Sequence, residues 1–184
     1  MSIDRKKEVI NICLDHFIEQ GLYETSTRSL SSALNLQPAG LYYYFRSKDE
    51  AVLLCSEEAV YRLERELISV AISCLDNPDY MVEQLKIKAD LMAPTMNFLV
   101  SVRSCKRYRD QLLPILDKLA VRYKEYARII SKKLNCKEKD IEPYVYMIIT
   151  AISNYMIFSE DIFINPQMEI IKKVLHKVVN DCTK

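Results

Sequence analysis

Apolar side chains recur every three to four residues along most of this 184-residue chain, with polar side chains between them. That spacing is the period of an amphipathic α-helix, and no alternating apolar and polar run of strand length interrupts it. The chain has only two glycines, Gly21 and Gly40, while six prolines break the pattern. The pattern therefore predicts an all-α fold.

Apolar stripes, together with start and stop signals, predict about nine helices. Ser47 and Glu50 fit a capping box, in which the hydroxyl accepts from the Glu50 amide and the carboxylate reaches back to the Ser47 amide. Asn77-Pro78 and Asn165-Pro166 each place a cap before a proline in the first turn and so predict further helix starts. The predicted spans are about 4–20, 27–34, 38–45, 47–75, 79–92, 95–104, 110–134, 139–161 and 166–181.

The segment from Thr25 to Lys48 contains two short predicted helices joined by a tight turn. Asn35 is able to close the first of them, since asparagine tolerates a left-handed backbone better than other residues with a side chain. Pro38 fixes the backbone of the next helix's first turn and places Gln37 at its cap. The segment therefore predicts a helix-turn-helix at about residues 26–45.

The second of these short helices has an inner and an outer side. Leu41 and Phe45 are four residues apart and share the inner side, where a small core is expected. The other expected members of this core are Phe17, Leu30, Leu34 and Leu36. The outer side carries Ala39, Gly40 and Tyr43, flanked by Tyr42 and Tyr44. A glycine within a helix costs about 1 kcal/mol relative to alanine, so an outward glycine indicates a partner that approaches the backbone closely. The major groove of DNA is such a partner.

The net charge of this segment contributes little to DNA binding. The formal net charge of the chain is +1, and residues 1–48 carry six basic and five acidic side chains. Any DNA contact must therefore rely on a few placed groups. Residues 101–139 carry twelve basic and four acidic side chains. This block is expected to be a solvated helical face, with an anionic effector or an acidic partner as the alternatives.

The remaining chemistry argues against several other classes of protein. The six cysteines form no CxxC pair, and the N-terminus has no signal segment, so reduced thiols in the cytoplasm are expected. Cys105, between Arg103 and Lys106, is a weak candidate for a redox sensor. The most apolar window, residues 144–158, is too short to span a membrane.

Only two histidines, His16 and His176, are available for catalysis or metal binding, and surface or packing roles are expected for both. The sequence has no HExxH motif, no phosphate-binding glycine loop and no nucleophile elbow. We therefore expect no enzymatic activity, no catalytic residues, no metal site and no cofactor.

Three strings give the N-terminal part a resemblance to a known family. They are F-x-x-x-G from Phe17 to Gly21, T-S-T-R from Thr25 to Arg28, and L-Y-x-x-F-x-S-K from Leu41 to Lys48. In this order they resemble the DNA-binding domain of the TetR family of bacterial transcriptional regulators. The resemblance covers about the first 50 to 60 residues, whereas the rest matches only as a succession of helices.

The resemblance implies a role for each position at the DNA. Thr27 and Arg28 would open the second helix against the DNA, and Arg28 would reach a guanine edge or a phosphate. Tyr42, Tyr44 and Lys48 would contact phosphates. The positions that would face the groove are Gln37, Pro38, Ala39, Gly40 and Tyr43.

The resemblance also implies two domains, a DNA-binding domain at residues 1–60 and a helical regulatory domain at residues 61–184. The second would form a homodimer through the helices at about 139–161 and 166–181 and would bind an unknown small-molecule effector. The residues proposed for its ligand pocket are Met92, Met96, Phe98, Tyr123, Met147 and Tyr155.

The expected function is that of a cytoplasmic, nucleoid-associated repressor that binds a partly palindromic double-stranded DNA operator and responds to a ligand. The alternative is a protein of the same family that uses DNA as an address and acts through protein–protein contact. A closed cavity between helices favours the first, and a solid core favours the second.

Overall fold

The computed structural model describes residues 3–158 and 161–182, and all regular structure within those ranges is helical. The all-α prediction is confirmed, with eight helices in the described ranges instead of about nine. The helices are α1 (Ile3–Gln20), α2 (Thr27–Ala33), α3 (Pro38–Leu41), α4 (Lys48–Ser73), α5 (Pro78–Ser104), α6 (Arg109–Leu134), α7 (Glu138–Phe158) and α8 (Asp161–Cys182).

Two prolines that were expected to separate helices lie inside them. Pro94 is within α5, so the segments predicted as 79–92 and 95–104 form one helix. Pro166 is within α8, which begins at Asp161 and not after Asn165. An interior proline removes one backbone hydrogen bond and costs about 3 kcal/mol or more. Buried apolar side chains on both sides of Pro94, such as Ala89 and Phe98, favour a continuous helix in spite of that cost.

Left-handed residues end three of the helices. Gly21 has a φ of 90° and donates to the Phe17 carbonyl at the end of α1. Asn35 (φ 54°) ends α2 and Asn135 (φ 55°) ends α6. After each asparagine the next amide donates back across the helix end, which is the Schellman arrangement. The role predicted for Asn35 is confirmed.

The chain divides into two compact units. The first contains the residues up to Arg62 together with Pro94–Leu116. Its core includes Phe17 and Phe98, whose ring centroids are 5.7 Å apart. Arg62 of α4 donates to Asp15 and Asn11 of α1, at 2.6 and 2.9 Å. The N-terminal helices are therefore packed together with a segment from the middle of the chain.

The second unit contains Leu63–Ala93 and the residues from Asp117 onward. Its apolar core is contributed by α6, α7, α8 and the turn after α4, and the buried members are Leu75, Ala127, Ile130, Leu134, Ile141, Val145 and Val178. Across the described ranges, the helices lack the length of apolar sequence needed to cross a membrane.

The cysteines differ from the expectation at one position. Cys13 and Cys55 are buried free thiols. Burial raises the pKa of Cys13 to about 12 and also raises the pKa of Cys55, which makes both unreactive. Cys136, however, takes part in a disulfide bond. The expectation that every thiol is reduced is therefore wrong at Cys136.

Candidate nucleic-acid interface

The first helix of the helix-turn-helix is fixed at both ends by local hydrogen bonds. Ser26 caps α2 by accepting from the Ser29 amide at 3.0 Å, and the Ser29 hydroxyl accepts from the Ser26 amide at 2.9 Å. At the other end, the Leu36 amide donates to the Ser31 carbonyl at 2.9 Å. Arg28 on this helix is exposed and Thr27 is half-buried. The start of α2 therefore presents a guanidinium group to solvent.

The second short helix separates an inner side from an outer side as predicted. Leu41 and Phe45 are buried, whereas Tyr42 and Tyr43 are 58% and 68% exposed. The helix is shorter than the predicted span of 38–45, since α3 ends at Leu41. The chain then tightens into a turn, in which the Tyr44 amide bonds to the carbonyl only three residues before it. The predicted residues Gln37, Pro38 and Ala39 are also exposed.

The tyrosines are held by each other and by the first helix. The rings of Tyr43 and Tyr44 meet edge to face with centroids 5.3 Å apart. Arg5 of α1 hydrogen-bonds to both Glu8 and the Tyr44 hydroxyl, which raises the pKa of its guanidinium. Arg5 was not among the predicted site residues, because only tertiary packing brings the start of α1 to this tyrosine.

The space beside Gly40 is limited by Leu36. Gly40 is half-buried, and a Cβ atom added to it would lie 3.4 Å from the Leu36 Cβ. That distance is about the limit of ordinary contact between nonbonded carbon atoms. Packing among the described residues would therefore admit an alanine at this position, and the reason for the glycine stays a prediction.

Lys48 is tied to the preceding helices at the start of α4. Its ammonium donates to the Leu22 carbonyl across 2.9 Å. An ammonium has three donors, so this bond still allows a phosphate contact. The nearby capping box is only partly as predicted: the Ser47 hydroxyl accepts from Glu50, but the Glu50 carboxylate accepts from the Arg46 amide and not from the Ser47 amide.

A contact from the middle of the chain reaches the first turn of α4. Asp49 accepts from the Tyr108 hydroxyl at 2.8 Å and also pairs with Arg107. Tyr108 is buried. That burial, together with its bond to Asp49, raises the pKa of Tyr108 to about 12, so the hydroxyl keeps its proton at neutral pH. Cys105, which follows α5, raises the pKa of the Tyr23 hydroxyl through its side chain.

The six residues proposed for a ligand pocket are divided between the two units, and that pocket stays a prediction. Met96 and Phe98 belong to the first unit, and the other four belong to the second. Within the second unit, Tyr123 packs edge to face on Tyr146, and Tyr155 lies under the Lys86 ammonium. The core of this unit contains an apolar cavity of about 30 Å³ between its helices. None of the six residues lines that cavity.

The first unit therefore has the architecture of a DNA-binding regulator: a helix-turn-helix with an exposed tyrosine surface, followed by a long helix. Residues 14–53 match the family described as bacterial regulatory proteins, tetR family. The chain is 18% identical to the HTH-type transcriptional regulator QacR of Staphylococcus aureus (strain Mu50 / ATCC 700699) over 185 residues, which cover 97% of this chain and 98% of that protein.

Two crystal structures share the fold along most of the chain. The multidrug binding protein EbrR, complexed with imidazole, is 13% identical with a TM-score of 0.60, over 95% of this chain and 94% of that one. A tetR-family transcriptional regulator from Streptomyces coelicolor is 14% identical with a TM-score of 0.59, over 97% and 80%. The match over residues 14–53 supports the resemblance to the TetR family of bacterial transcriptional regulators that was drawn from the N-terminal sequence. Members of this family regulate transcription and are not enzymes.

Proposed function

We propose that this regulator is a homodimeric repressor that binds a partly palindromic operator through α3 and leaves it when an effector binds. The observation that carries the DNA assignment is the exposed surface formed by Tyr42, Tyr43 and the residues from Gln37 to Ala39. Tyrosines at this density on a surface suit contacts to phosphates and to base edges. Arg28 and Lys48 would supply the charge.

A second copy of the chain is the partner proposed for α7 and α8. These helices border an open groove of about 510 Å³ in the second unit. Its lining is mostly apolar and consists of Pro143, Tyr146, Met147, Thr150, Ala151, Asn154, Gln167, Ile170 and Ile171. Ile170 is 55% exposed there. A two-fold axis on this face would bury these groups and supply the second recognition helix that a palindrome requires.

The helices proposed for this interface have a buried side and an exposed side. Val145, Ile152 and Leu175 point into the core of their own unit. The exposed stripe of α7 passes instead through Pro143, Thr150 and Asn154. The proposed interface therefore uses the predicted helices and the exposed face of α7.

The proposed effector is a small, largely apolar organic molecule. The cavity of about 30 Å³ is lined by aliphatic side chains and Tyr144, and it holds about one water molecule. An effector would have to separate the helices to enter this cavity. Effector binding would then change DNA affinity only if the effector binds the opened state more tightly than the closed one. The multidrug-binding description of EbrR supports the same chemical class.

The small size of that cavity also favours the alternative, in which the regulator acts through contact with another protein. A thermal-shift screen with apolar and cationic organic compounds separates the two proposals. A ligand that raises the melting temperature and releases DNA supports the effector mechanism. A ligand-insensitive protein that retains operator binding supports the alternative.

The DNA assignment is tested by selecting bound duplexes from random DNA and measuring their affinity for variants. Tyr43→Ala should weaken binding at least tenfold while leaving the circular dichroism spectrum unchanged. Tyr80→Ala is the matched control, since Tyr80 is an exposed tyrosine of the second unit. Equal affinity of the Tyr43→Ala variant and the unmodified protein would refute the groove assignment.

A further inference from the structure

The charge of the first unit depends on the end of α5, the start of α6 and the connection between them. Residues 1–62 carry seven basic and nine acidic side chains, whereas residues 94–116 carry four basic and one acidic. Both segments belong to the same compact unit. The N-terminal part is therefore net acidic by itself, and the second segment makes the unit slightly basic.

The first turn of α4 combines two requirements that oppose each other. Asp49 and Glu50 lie in this turn, where carboxylates are favoured by the helix dipole. Lys48 precedes them directly and is the proposed phosphate contact. An uncompensated carboxylate beside that lysine would repel the phosphate by charge.

The structure resolves this opposition for each carboxylate separately. Glu50 is turned back to the Arg46 amide, from which it accepts at 2.6 Å. Asp49 is paired with Arg107 and also accepts from the Tyr108 hydroxyl. The Arg107 side chain is 67% exposed and the Asp49 side chain is 30% exposed, so both charges contribute to the electrostatic potential at the surface.

We propose that Arg107 is a positioning residue for DNA binding: it neutralises Asp49 and holds that carboxylate away from the phosphate bound by Lys48. The connection between α5 and α6 thereby sets the charge of the DNA-facing end of α4. A movement that withdraws Arg107 exposes the Asp49 charge and lowers DNA affinity. This inference rests on the proposed placement of Lys48 at a phosphate.

The test is a double-mutant cycle on operator affinity, measured by fluorescence anisotropy at low and high salt. Arg107→Met should weaken binding roughly fivefold at low salt, and the loss should shrink at high salt because salt screens surface charges. Asp49→Asn should bind at least as well as the unmodified protein, since the new amide still accepts from Tyr108. The double variant should return to within about twofold of the unmodified affinity.

Two results would overturn the inference. One is a double variant as weak as Arg107→Met, which would mean that Arg107 contacts DNA itself or only supports the fold. The other is an unchanged affinity for Arg107→Met. Arg128→Met is the matched control, because Arg128 forms an exposed ion pair with Glu125 in the second unit.

Including Tyr43→Ala in the same assay keeps this inference separate from the proposed function. If Tyr43→Ala binds normally, the groove assignment itself fails. If Tyr43→Ala is weak but Arg107→Met is not, only the role of Arg107 fails. Urea unfolding midpoints of all variants distinguish a loss of affinity from a loss of fold.

Discussion

Arg122 donates from its Nε to the Glu64 carboxylate across 2.7 Å, and the Glu64 side chain is only 4% exposed. The Tyr126 hydroxyl donates to the same carboxylate at 2.5 Å. This buried charge is thus satisfied by two donors from α6, which fixes α6 against α4 within the second unit. A buried carboxylate is costly to leave without a partner.

Arg122→Ala is therefore expected to lower the free energy of unfolding by about 3 kcal/mol. Combining Arg122→Met with Glu64→Gln should recover most of that loss, because the double change removes both charges. Urea denaturation monitored by circular dichroism measures both variants. Arg128→Ala, which breaks an exposed pair, should change stability by no more than about 0.5 kcal/mol. If Arg122→Ala and Arg128→Ala lowered the free energy of unfolding equally, burial of the Glu64 carboxylate would not explain the cost.

Tyr108→Phe tests the hydroxyl bond to Asp49. The bond should contribute about 1 kcal/mol at neutral pH, since it is made to a charged but partly exposed acceptor. The pKa of Tyr108 is raised from its ordinary value of about 10 to about 12 in the folded protein. Its contribution is therefore complete below pH 10 and is lost as the pH rises from 10 to 12. The urea unfolding midpoints of the Tyr108→Phe variant and the unmodified protein should therefore differ at pH 8 and converge at pH 11.

Asn35 tests the left-handed turn between α2 and α3. Asn35→Gly should be neutral or stabilise slightly, whereas Asn35→Val should cost about 1–2 kcal/mol, because a β-branched side chain disfavours positive φ. The same pair of changes at Asn135 should behave alike, since its φ is nearly the same. Thermal unfolding reports the cost. Operator affinity should fall only for the valine at position 35, where the turn positions α3.

Ile170→Glu tests the proposed dimer. A charge placed in the exposed groove should convert a dimer into a monomer and reduce operator affinity, because each half-site would then be bound independently. Ile87→Glu is the control, since Ile87 is a similarly exposed residue of α5 outside that groove. Sedimentation velocity at micromolar concentration decides the matter. A stable monomer for the unmodified protein would contradict the dimer at the outset.

The predictions made from the sequence were correct where their physical cause lies within a few residues. The left-handed backbone at Asn35 and the cap at Asn77, which accepts from the Tyr80 amide at 3.1 Å, follow from residue chemistry within a few positions. The separation of buried Leu41 from exposed Tyr43 follows from helical spacing. The prediction that Pro94 ends a helix was wrong because packing on both sides of it outweighed its local preference, and α8 likewise continues through Pro166.

Within the candidate site, Arg5 and Arg107 could not be found from the sequence. Their partners Tyr44 and Asp49 lie 39 and 58 residues away, and no motif links residues at such separations.

The sequence by itself determined the helical class, the helix-turn-helix with its outward tyrosines, and the resemblance to a known family, since these depend on periodicity, caps and short strings of residues. Only the tertiary structure decided which charges meet at the start of α4, that α5 is one helix through Pro94, and which face of α7 is left exposed. Those features depend on contacts between residues far apart in the chain. Such contacts are selected by the total packing of the folded unit and not by any local preference.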